Sequence, residues 1–413
     1  MVDIKDFDFE TDDEAFEAAI KNRDDDGIVI VSKRKSKTEP GRDYWLIDKA
    51  ILLPENTTVI IRNCTIKLSD KCRDNFFRSA NCGMGIDYPE KISNIHIKGI
   101  GNVVLLGADH PRATGDGSKI IANPCPYEDA DICACADWVP EERKKSGNLE
   151  FSDKHDHSYG TDAKNPNESQ YGDWRGIGIL FANVSNFSIE NLKIVESHGW
   201  GISLEECSYG SVEGICFDAR MSKEIDGMLH NMENQDGVDI RYGCHDIIIS
   251  DITGETGDDV IALTAIKAEE FISGGSLKTT EVMPKDYTHR SEGIYNITIK
   301  NIIAYSSLCC VIRLLSVNTK IHNVIIDGVI DNTPEGQSHW ATVLIGDSGY
   351  GSNLKDGVSS IIINNVICNS NTGVEIKKYL KDSVISNIIS GNDNQSVINV
   401  NEPDGLVNVK ILN

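Results

Sequence analysis

A short pattern of β-branched residues recurs along the chain and limits what it can fold into. Copies of this pattern occupy residues 92–100, 184–192, 244–252, 294–302, 321–329 and 358–366, with weaker copies at 58–68 and 384–389. A second pattern lies between these copies, at residues 201–205, 237–241, 260–264, 311–315, 342–346 and 373–377. Its second and fourth positions are aliphatic and its third and fifth vary. This alternation predicts strands with one buried face and one face free for chemistry.

Two short strands per repeat predict an all-β solenoid. The strands are too short to be the helices of tetratricopeptide or ankyrin arrays, and the Trp-Asp signature of propeller blades is missing. A β-sandwich is the alternative, but its strands would not keep one register through all copies. We therefore expect a right-handed parallel β-helix, in which equivalent residues stack on successive rungs about 4.8 Å apart.

Three segments depart from the repeat. Residues 9–22 have the pattern of an amphipathic helix that begins with Thr11 or Asp12 as its cap, and such a helix could seal the open end of the solenoid. Residues 108–172 and 267–291 are long insertions and are predicted to form the walls of a cleft. The whole chain, 1–413, is predicted to be one β-helix domain.

The excess of acidic over basic residues disfavours some classes of binding partner. With 40 Lys and Arg against 64 Asp and Glu, the formal net charge of −24 disfavours nucleic acids and anionic membranes as partners. The chain contains no apolar stretch of about 18 residues, so no membrane span is expected. The N-terminus lacks the pattern of a signal peptide, and the twelve cysteines are irregularly spaced. These features predict reduced thiols and a cytoplasmic location.

Acidic residues cluster where two copies of the second pattern begin. Aligning the copies places Asp236 one rung from Asp259, with Asp258 beside them at the strand entrance. Carboxylates this close repel one another, so at least one is expected to have a raised pKa. Asp239 falls on the same face, further from Asp259. The cluster favours acid–base chemistry such as glycoside hydrolysis; turn capping and calcium binding are the alternatives.

Other side chains are predicted to surround this cluster. Trp200 aligns beside the acids and could stack on a sugar ring, while His198 lies in the preceding rung. Arg241, Arg313 and Lys377 occupy variable positions of the strand pattern. These cations are predicted either to bind substrate or to form a ladder of salt bridges.

One further group could bind zinc. Cys125, Cys133 and Cys135 lie near His155 and His157 in the first insertion. Their spacing lacks the paired Cys-x2-Cys of structural zinc sites, so cleft-wall residues are the preferred interpretation of this insertion.

The acidic motif resembles that of a known family. Asn234-x-Asp236, followed after one coil by Asp258-Asp259, is similar to the motif of polygalacturonase-type glycoside hydrolases (family 28), and the likeness extends over residues 180–413. The resemblance implies a right-handed β-helix and an inverting reaction. It implies that Asp258 is the acid, that Asp236 and Asp259 hold and activate the attacking water, that Asn234 contributes to the substrate site, and that no metal or cofactor is needed.

Two family motifs differ here. The position of the family's Gly-His-Gly is occupied by Leu308-Cys309-Cys310-Val311, so the histidine is missing and His198 is its candidate replacement. The family's Arg-Ile-Lys is echoed only by Glu375-Ile376-Lys377, and Arg313 could take the place of its arginine.

Three classes of function follow. The first is hydrolysis of a glycosidic bond in an oligosaccharide or polysaccharide. The second is a polysaccharide lyase or an intramolecular transglycosylase of the fructotransferase kind, and the third is a carbohydrate-binding spike without catalysis. The sequence leaves open the sugar, the linkage, exo or endo action, and whether the chain forms a homo-oligomer.

Overall fold

The computed structural model describes residues 1–7, 9–34, 39, 41–70, 72, 74–83, 85–109, 173–220, 222–225, 227–231, 234–266, 280–284, 287, 293–347, 354–391 and 396–413. Nearly all of the predicted insertion at 108–172 and most of the one at 267–291 lie outside these residues. The five candidate zinc ligands, Cys125, Cys133, Cys135, His155 and His157, lie outside them as well.

A single α-helix, Asp12–Lys21, is present in the described part of the chain, within the predicted range 9–22. Thr11 caps it: its hydroxyl accepts a hydrogen bond from the amide of Glu14, whose side chain accepts one from the amide of Thr11. Phe16 and Ile20 are buried in the main hydrophobic core, and Phe16 packs edge-on against Trp45, with ring centroids 5.7 Å apart. The helix therefore covers the N-terminal end of that core. Short 3-10 helices span Ile4–Asp6, Asp173–Gly176 and Pro403–Gly405.

The described strands form two large parallel sheets and one small hairpin. The larger sheet contains seventeen strands: Val2–Asp3, Ile28–Val31, Trp45–Ile47, Thr57–Arg62, Thr65–Leu68, Ile92–Ile100, Val104–Leu106, Val184–Glu190, Lys193–Val195, Ser208–Glu213, Cys216–Asp218, His245–Thr256, Ile294–Ser306, Ile321–Asp331, Val358–Cys368, Leu380–Ser390 and Leu406–Leu412. The second, which we call the site sheet, contains ten: Ile51–Leu53, Phe77–Ser79, Ile179–Ala182, Ile202–Glu205, Val238–Arg241, Ile261–Ala265, Cys310–Ser316, Ala341–Ile345, Thr372–Ile376 and Ser396–Val400. Ser222–Ile225 and Met228–Asn231 pair as an antiparallel hairpin.

The register of the site sheet follows the second sequence pattern. Its second positions pair in succession: Ile202 with Val238, Val238 with Ile261, Ile261 with Ile312, Ile312 with Val343, and Val343 with Val374. These side chains are buried, as are those at the fourth positions. The predicted right-handed parallel β-helix is therefore confirmed. In the same register, Asp239, Ala262 and Arg313 occupy one column on three successive strands.

Asparagine and aspartate recur in the first pattern because the chain bends there. Asp246, Asn296 and Asn323 all have φ near +56°, a left-handed conformation that Asn and Asp tolerate better than most residues. Their side chains form a ladder: the amide of Asn296 donates to Asp246 at 2.9 Å, and that of Asn323 donates to Asn296 at 3.1 Å. This ladder fixes one corner of successive coils.

A continuous hydrophobic core, from Ile4 to Ile388, fills the interior between the sheets. Its residues are mainly Ile, Val and Leu, as the alternating pattern requires. In the described part of the chain, no helix is long and apolar enough to cross a membrane.

Candidate active site

Three aspartates meet at the entrance of two adjacent strands of the site sheet. Asp236 precedes the strand Val238–Arg241, and Asp258 and Asp259 precede Ile261–Ala265. The amide of Gly237 donates to the carbonyl of Asp259 at 2.8 Å, which places Asp236 and Asp259 on neighbouring rungs. Carboxylate oxygens of Asp236, Asp258 and Asp259 lie within 4.8 Å of one another. The aligned repeats predict this proximity.

A network of main-chain hydrogen bonds shapes the turn that carries the adjacent pair. The carbonyl of Gln235 accepts from the amides of Gly257 at 3.1 Å and Asp258 at 3.3 Å. The side chain of Gln235 is buried and donates to the carbonyl of Ser197 at 2.7 Å. Oδ1 of Asp258 accepts from the amide of Asp259 at 3.0 Å. The turn is therefore tied to the two preceding coils.

Burial and mutual repulsion raise the pKa values of the acids. Burial, followed by the charges of Asp239, Asp258 and Asp259, raises the pKa of Asp236 well above its usual value. Burial raises the pKa of Asp259 to about 6, against the opposing effect of the Arg313 guanidinium. The pKa of Asp239 is also well above its usual value, chiefly because of burial. The cluster therefore retains protons at a pH where isolated aspartates have lost them.

Arg313 is the cation that faces this cluster. Its Nε lies 2.8 Å from Oδ2 of Asp259, and its Nη1 lies 3.4 Å from Oδ2 of Asp347. In its column, the small side chain of Ala262 separates Arg313 from Asp239. Arg313 therefore offsets part of the negative charge at this end of the sheet.

The acids open into a pocket beside the entrance of these two strands. Seven of the ten predicted site residues line it, namely Trp200, Asn234, Asp236, Asp239, Asp258, Asp259 and Arg313. Ala262, Thr264, Ile266 and Leu315 complete the lining. Asp258 is half-buried, whereas Asp236 and Asp259 are buried.

Arg241 lies behind the pocket wall. Its side chain is fully buried and forms an ion pair of 2.9 Å with Glu281 and a hydrogen bond of 3.0 Å to Thr280. Its guanidinium also packs on the ring of Trp200, 4.9 Å from the centroid. Arg241 therefore forms a buried ion pair with a residue from outside the repeat and supports Trp200 from behind.

His198 is placed differently from the prediction. It is buried and does not line the pocket, and its Nε2 accepts a hydrogen bond from the amide of Ala108 at 2.8 Å. Burial, assisted by the charge of Lys223, lowers its pKa to about 3. In the structure this neutral imidazole holds the main chain at Ala108 and does not line the pocket.

Lys377 also lies away from the pocket. Ile376, the residue before Lys377, lies two strands further along the site sheet than Leu314, the residue after Arg313. The ammonium of Lys377 forms an ion pair of 2.5 Å with Glu375 and lies 5.3 Å from the ring centroid of Trp340. Lys377 therefore does not line the pocket, and its contact with substrate stays a prediction.

The sequence interpretation gave no role to three residues that contact Asp259 or its partner Arg313. The amide of Cys310 donates to Oδ1 of Asp259 at 3.1 Å, the thiol of Cys309 contacts the guanidinium of Arg313, and Asp347 pairs with that guanidinium. One sequence feature could have pointed to the two cysteines, because the unusual Cys309-Cys310 pair occupies the position of the missing histidine. Asp347 carried no comparable signal, because it follows its strand outside the repeated pattern.

Among the described residues, two sets of side chains have a geometry that could hold a metal ion. One is the group of Asp236, Asp258 and Asp259, which offers only oxygen, and the other is Asp259 with Cys309 and Cys310, which adds two sulfur atoms. An oxygen site suits hard cations such as calcium, and a site with thiols suits softer ones such as zinc.

Comparison with known proteins agrees with the family resemblance. Residues 162–279 match the family model described as glycosyl hydrolases family 28. This segment carries Asn234, Asp236, Asp258 and Asp259. None of the curated protein sequences compared with the chain matches it.

Solved structures show the same fold. A family 28 exopolygalacturonase from Yersinia enterocolitica superimposes with a TM-score of 0.50 at 12% identity, covering 100% of this chain and 77% of that one. A mutant tailspike protein of E. coli bacteriophage HK620, in complex with a pentasaccharide, gives 0.50 at 13% identity, covering 97% and 64%. An endo-xylogalacturonan hydrolase from Aspergillus tubingensis gives 0.48 at 14% identity, covering 97% and 92%.

Identities this low show only a shared β-helix. The family model covers residues 162–279, less than half of the chain, so the chain is similar to the family 28 glycosyl hydrolases over the segment that carries the acidic motif.

Proposed function

We propose that the pocket hydrolyses a glycosidic bond of an oligosaccharide or polysaccharide by acid–base catalysis, with Asp258 as the acid and Asp236 and Asp259 as the bases. The observation that carries this proposal is the convergence of the three carboxylates, within 4.8 Å of one another, on the wall of an open pocket. Glycoside hydrolysis uses such groups as proton donor and water activator.

Asp258 is best placed to donate the proton. It is half-buried, whereas Asp236 and Asp259 are buried, so its carboxyl group is the one of the three most open to an incoming leaving-group oxygen. Burial raises the pKa values of Asp236 and Asp259, so the cluster can keep a proton at neutral pH. That proton would pass to the glycosidic oxygen through Asp258.

Asp259 is best placed to act as a base. Its carboxylate accepts the Cys310 amide at 3.1 Å and lies 2.8 Å from Nε of Arg313. Both contacts favour the ionised form. With the neighbouring Asp236, it would hold a water molecule and accept its proton as the water attacks the anomeric carbon.

The pocket suits a sugar ring without a carboxylate. Among its described lining residues, four aspartates face one cation, Arg313, and that cation is already paired with Asp259. Lys377, which echoes a substrate-binding lysine of the resembled family, lies outside the lining. Trp200 supplies an aromatic surface for a sugar face, and Asn234 supplies hydrogen bonds. We therefore propose neutral oligosaccharides as the substrate class.

The stereochemistry is the sharpest test of the mechanism. The resemblance implies inversion, yet the oxygens of the three aspartates lie closer together than the roughly 6.5–9.5 Å usual between the carboxyl groups of inverting enzymes. Proton NMR of the products during the first minutes of hydrolysis reports the configuration of the new anomeric centre. We expect inversion, and a retained configuration would require a covalent intermediate on one of these aspartates.

We also propose a cytoplasmic location. All nine cysteines that the structure describes are free thiols, which supports a reducing compartment.

A further inference from the structure

We propose that Cys309, Cys310 and Asp259 form a binding site for a soft divalent cation such as Zn²⁺, and that the bound ion shuts off the pocket. One ligand atom from each residue, two sulfurs and one carboxylate oxygen, lies within 4.8 Å of the others. All three residues are buried, and Asp259 lines the pocket. Two thiolates and a carboxylate are a ligand set that zinc and cadmium accept.

The main chain holds these ligands in place. The amide of Cys309 donates to Oγ of Ser306 at 2.7 Å, and its carbonyl accepts from the amide of Trp340 at 2.9 Å. The amide of Cys310 donates to Asp259 itself at 3.1 Å. Held in this way, the three ligand residues themselves need little rearrangement to bind an ion.

A positive group already contacts all three ligands. The guanidinium of Arg313 lies 2.8 Å from Oδ2 of Asp259, touches the sulfur of Cys309, and lies 4.0 Å from the sulfur of Cys310. The three ligand residues therefore already surround a positively charged group. When the ion enters, Arg313 must turn away, and Asp347, 3.4 Å from its Nη1, is a carboxylate towards which it can turn.

The binding step releases protons. Each thiol loses one proton to solvent as its sulfur bonds to the ion, so the two sulfurs release two protons and no electron is transferred. The fourth position of a tetrahedral ion would face the pocket and hold water. Loss of hydrolysis on binding rests on the function proposed above, because the ion occupies the carboxylate assigned as base.

Ultraviolet titration of the reduced full chain with Cd²⁺ tests the site without any assay of activity. We expect a sulfur-to-metal charge-transfer band that saturates at one equivalent, resists excess Ca²⁺ and is displaced by Zn²⁺. Cys309→Ser and Cys310→Ser should each weaken binding by at least about tenfold. Cys216→Ser, at a partly exposed cysteine outside the pocket, should leave it unchanged. Circular dichroism establishes that each variant is folded.

Three results would overturn the proposal. They are the absence of the band in the wild-type chain, a band unchanged in both single variants, and a band lost when Cys125, Cys133 and Cys135 are replaced by serine. The last would assign the metal to the first insertion.

Inhibition is then measured with Zn²⁺ on wild type and on Cys310→Ser. If Cd²⁺ binds but Zn²⁺ does not inhibit hydrolysis, the shut-off is contradicted and the proposed hydrolysis is not. If the metal-free chain is inactive, the proposed function is contradicted and the evidence for metal binding is unaffected.

Discussion

The carboxylate of Asp259 and the guanidinium of Arg313 form an ion pair of 2.8 Å between adjacent strands of the site sheet. Burial raises the pKa of Asp259 and this guanidinium opposes the rise, so the pKa of about 6 is the balance of the two effects. The pair thereby sets how much of this buried aspartate is ionised near neutral pH.

Replacing Arg313 should shift the pH dependence of hydrolysis. In Arg313→Gln the pKa of Asp259 is expected to rise further, because the opposing charge is gone while burial remains. A base with a higher pKa becomes protonated at higher pH, so the acidic limb of kcat/KM should move to higher pH, with roughly tenfold lower activity at neutral pH. Lys377→Gln is the matched control, since that cation lies outside the pocket lining. An unshifted limb in Arg313→Gln would refute this role.

Asp239 should reduce stability increasingly as pH rises. It is fully buried, Oδ2 has no hydrogen-bond partner among the described residues, and burial raises its pKa in the folded state. The folded chain then binds more protons than the unfolded chain above about pH 4, so the free energy of unfolding falls as pH rises through the elevated pKa. Asp239→Asn removes this effect. Its stability relative to wild type should therefore improve between pH 5 and pH 8 in urea titrations.

The exposed Asp404 provides the control for that experiment. Asp404→Asn removes one carboxylate without altering the pocket and should follow the wild-type trend. A constant difference between Asp239→Asn and wild type across this pH range would contradict the raised pKa.

His198 should have the opposite effect on stability. Burial lowers its pKa to about 3, below the usual value near 6.5. The unfolded chain therefore binds the extra proton first, and the stability associated with neutral His198 is lost as pH falls from about 6.5 towards 3. His198→Gln keeps an acceptor for the Ala108 amide but cannot be protonated, so its unfolding free energy should fall less than that of wild type between pH 7 and pH 4. Equal losses would show that His198 is protonated as readily in the folded chain.

The sequence predicts the framework of the site well. Alternation of aliphatic residues determines which side chains enter the core, and the repeats then determine which residues share a column. Both the pairing of Val238 with Ile261 and the proximity of Asp236 to Asp259 follow from that alignment. Only local pattern and strand geometry are needed for these predictions.

The remaining placements depend on contacts from distant segments. Arg241 shares its column with pocket residue Thr264, but Glu281 and Thr280 arrive from outside the repeat and bury it. Nε2 of His198 accepts a hydrogen bond from the amide of Ala108, which belongs to an earlier coil. Repeat alignment fixes the column of a side chain but not the neighbours that loops bring to it, so these two roles could not be derived from the sequence.

Mass spectrometry of the products from a panel of neutral and acidic oligosaccharides shows directly whether the pocket hydrolyses a glycosidic bond with Asp258 as the acid. Wild type is compared with Asp258→Asn, each with and without chelator. We expect products that gain one water, still form in the presence of chelator, and decrease by roughly 10²–10⁴-fold in the variant. The thermal stability of Asp258→Asn should equal or exceed that of wild type, because repulsion within the cluster falls. Products without added water would contradict hydrolysis, and full activity in Asp258→Asn would contradict the role of Asp258 as the acid.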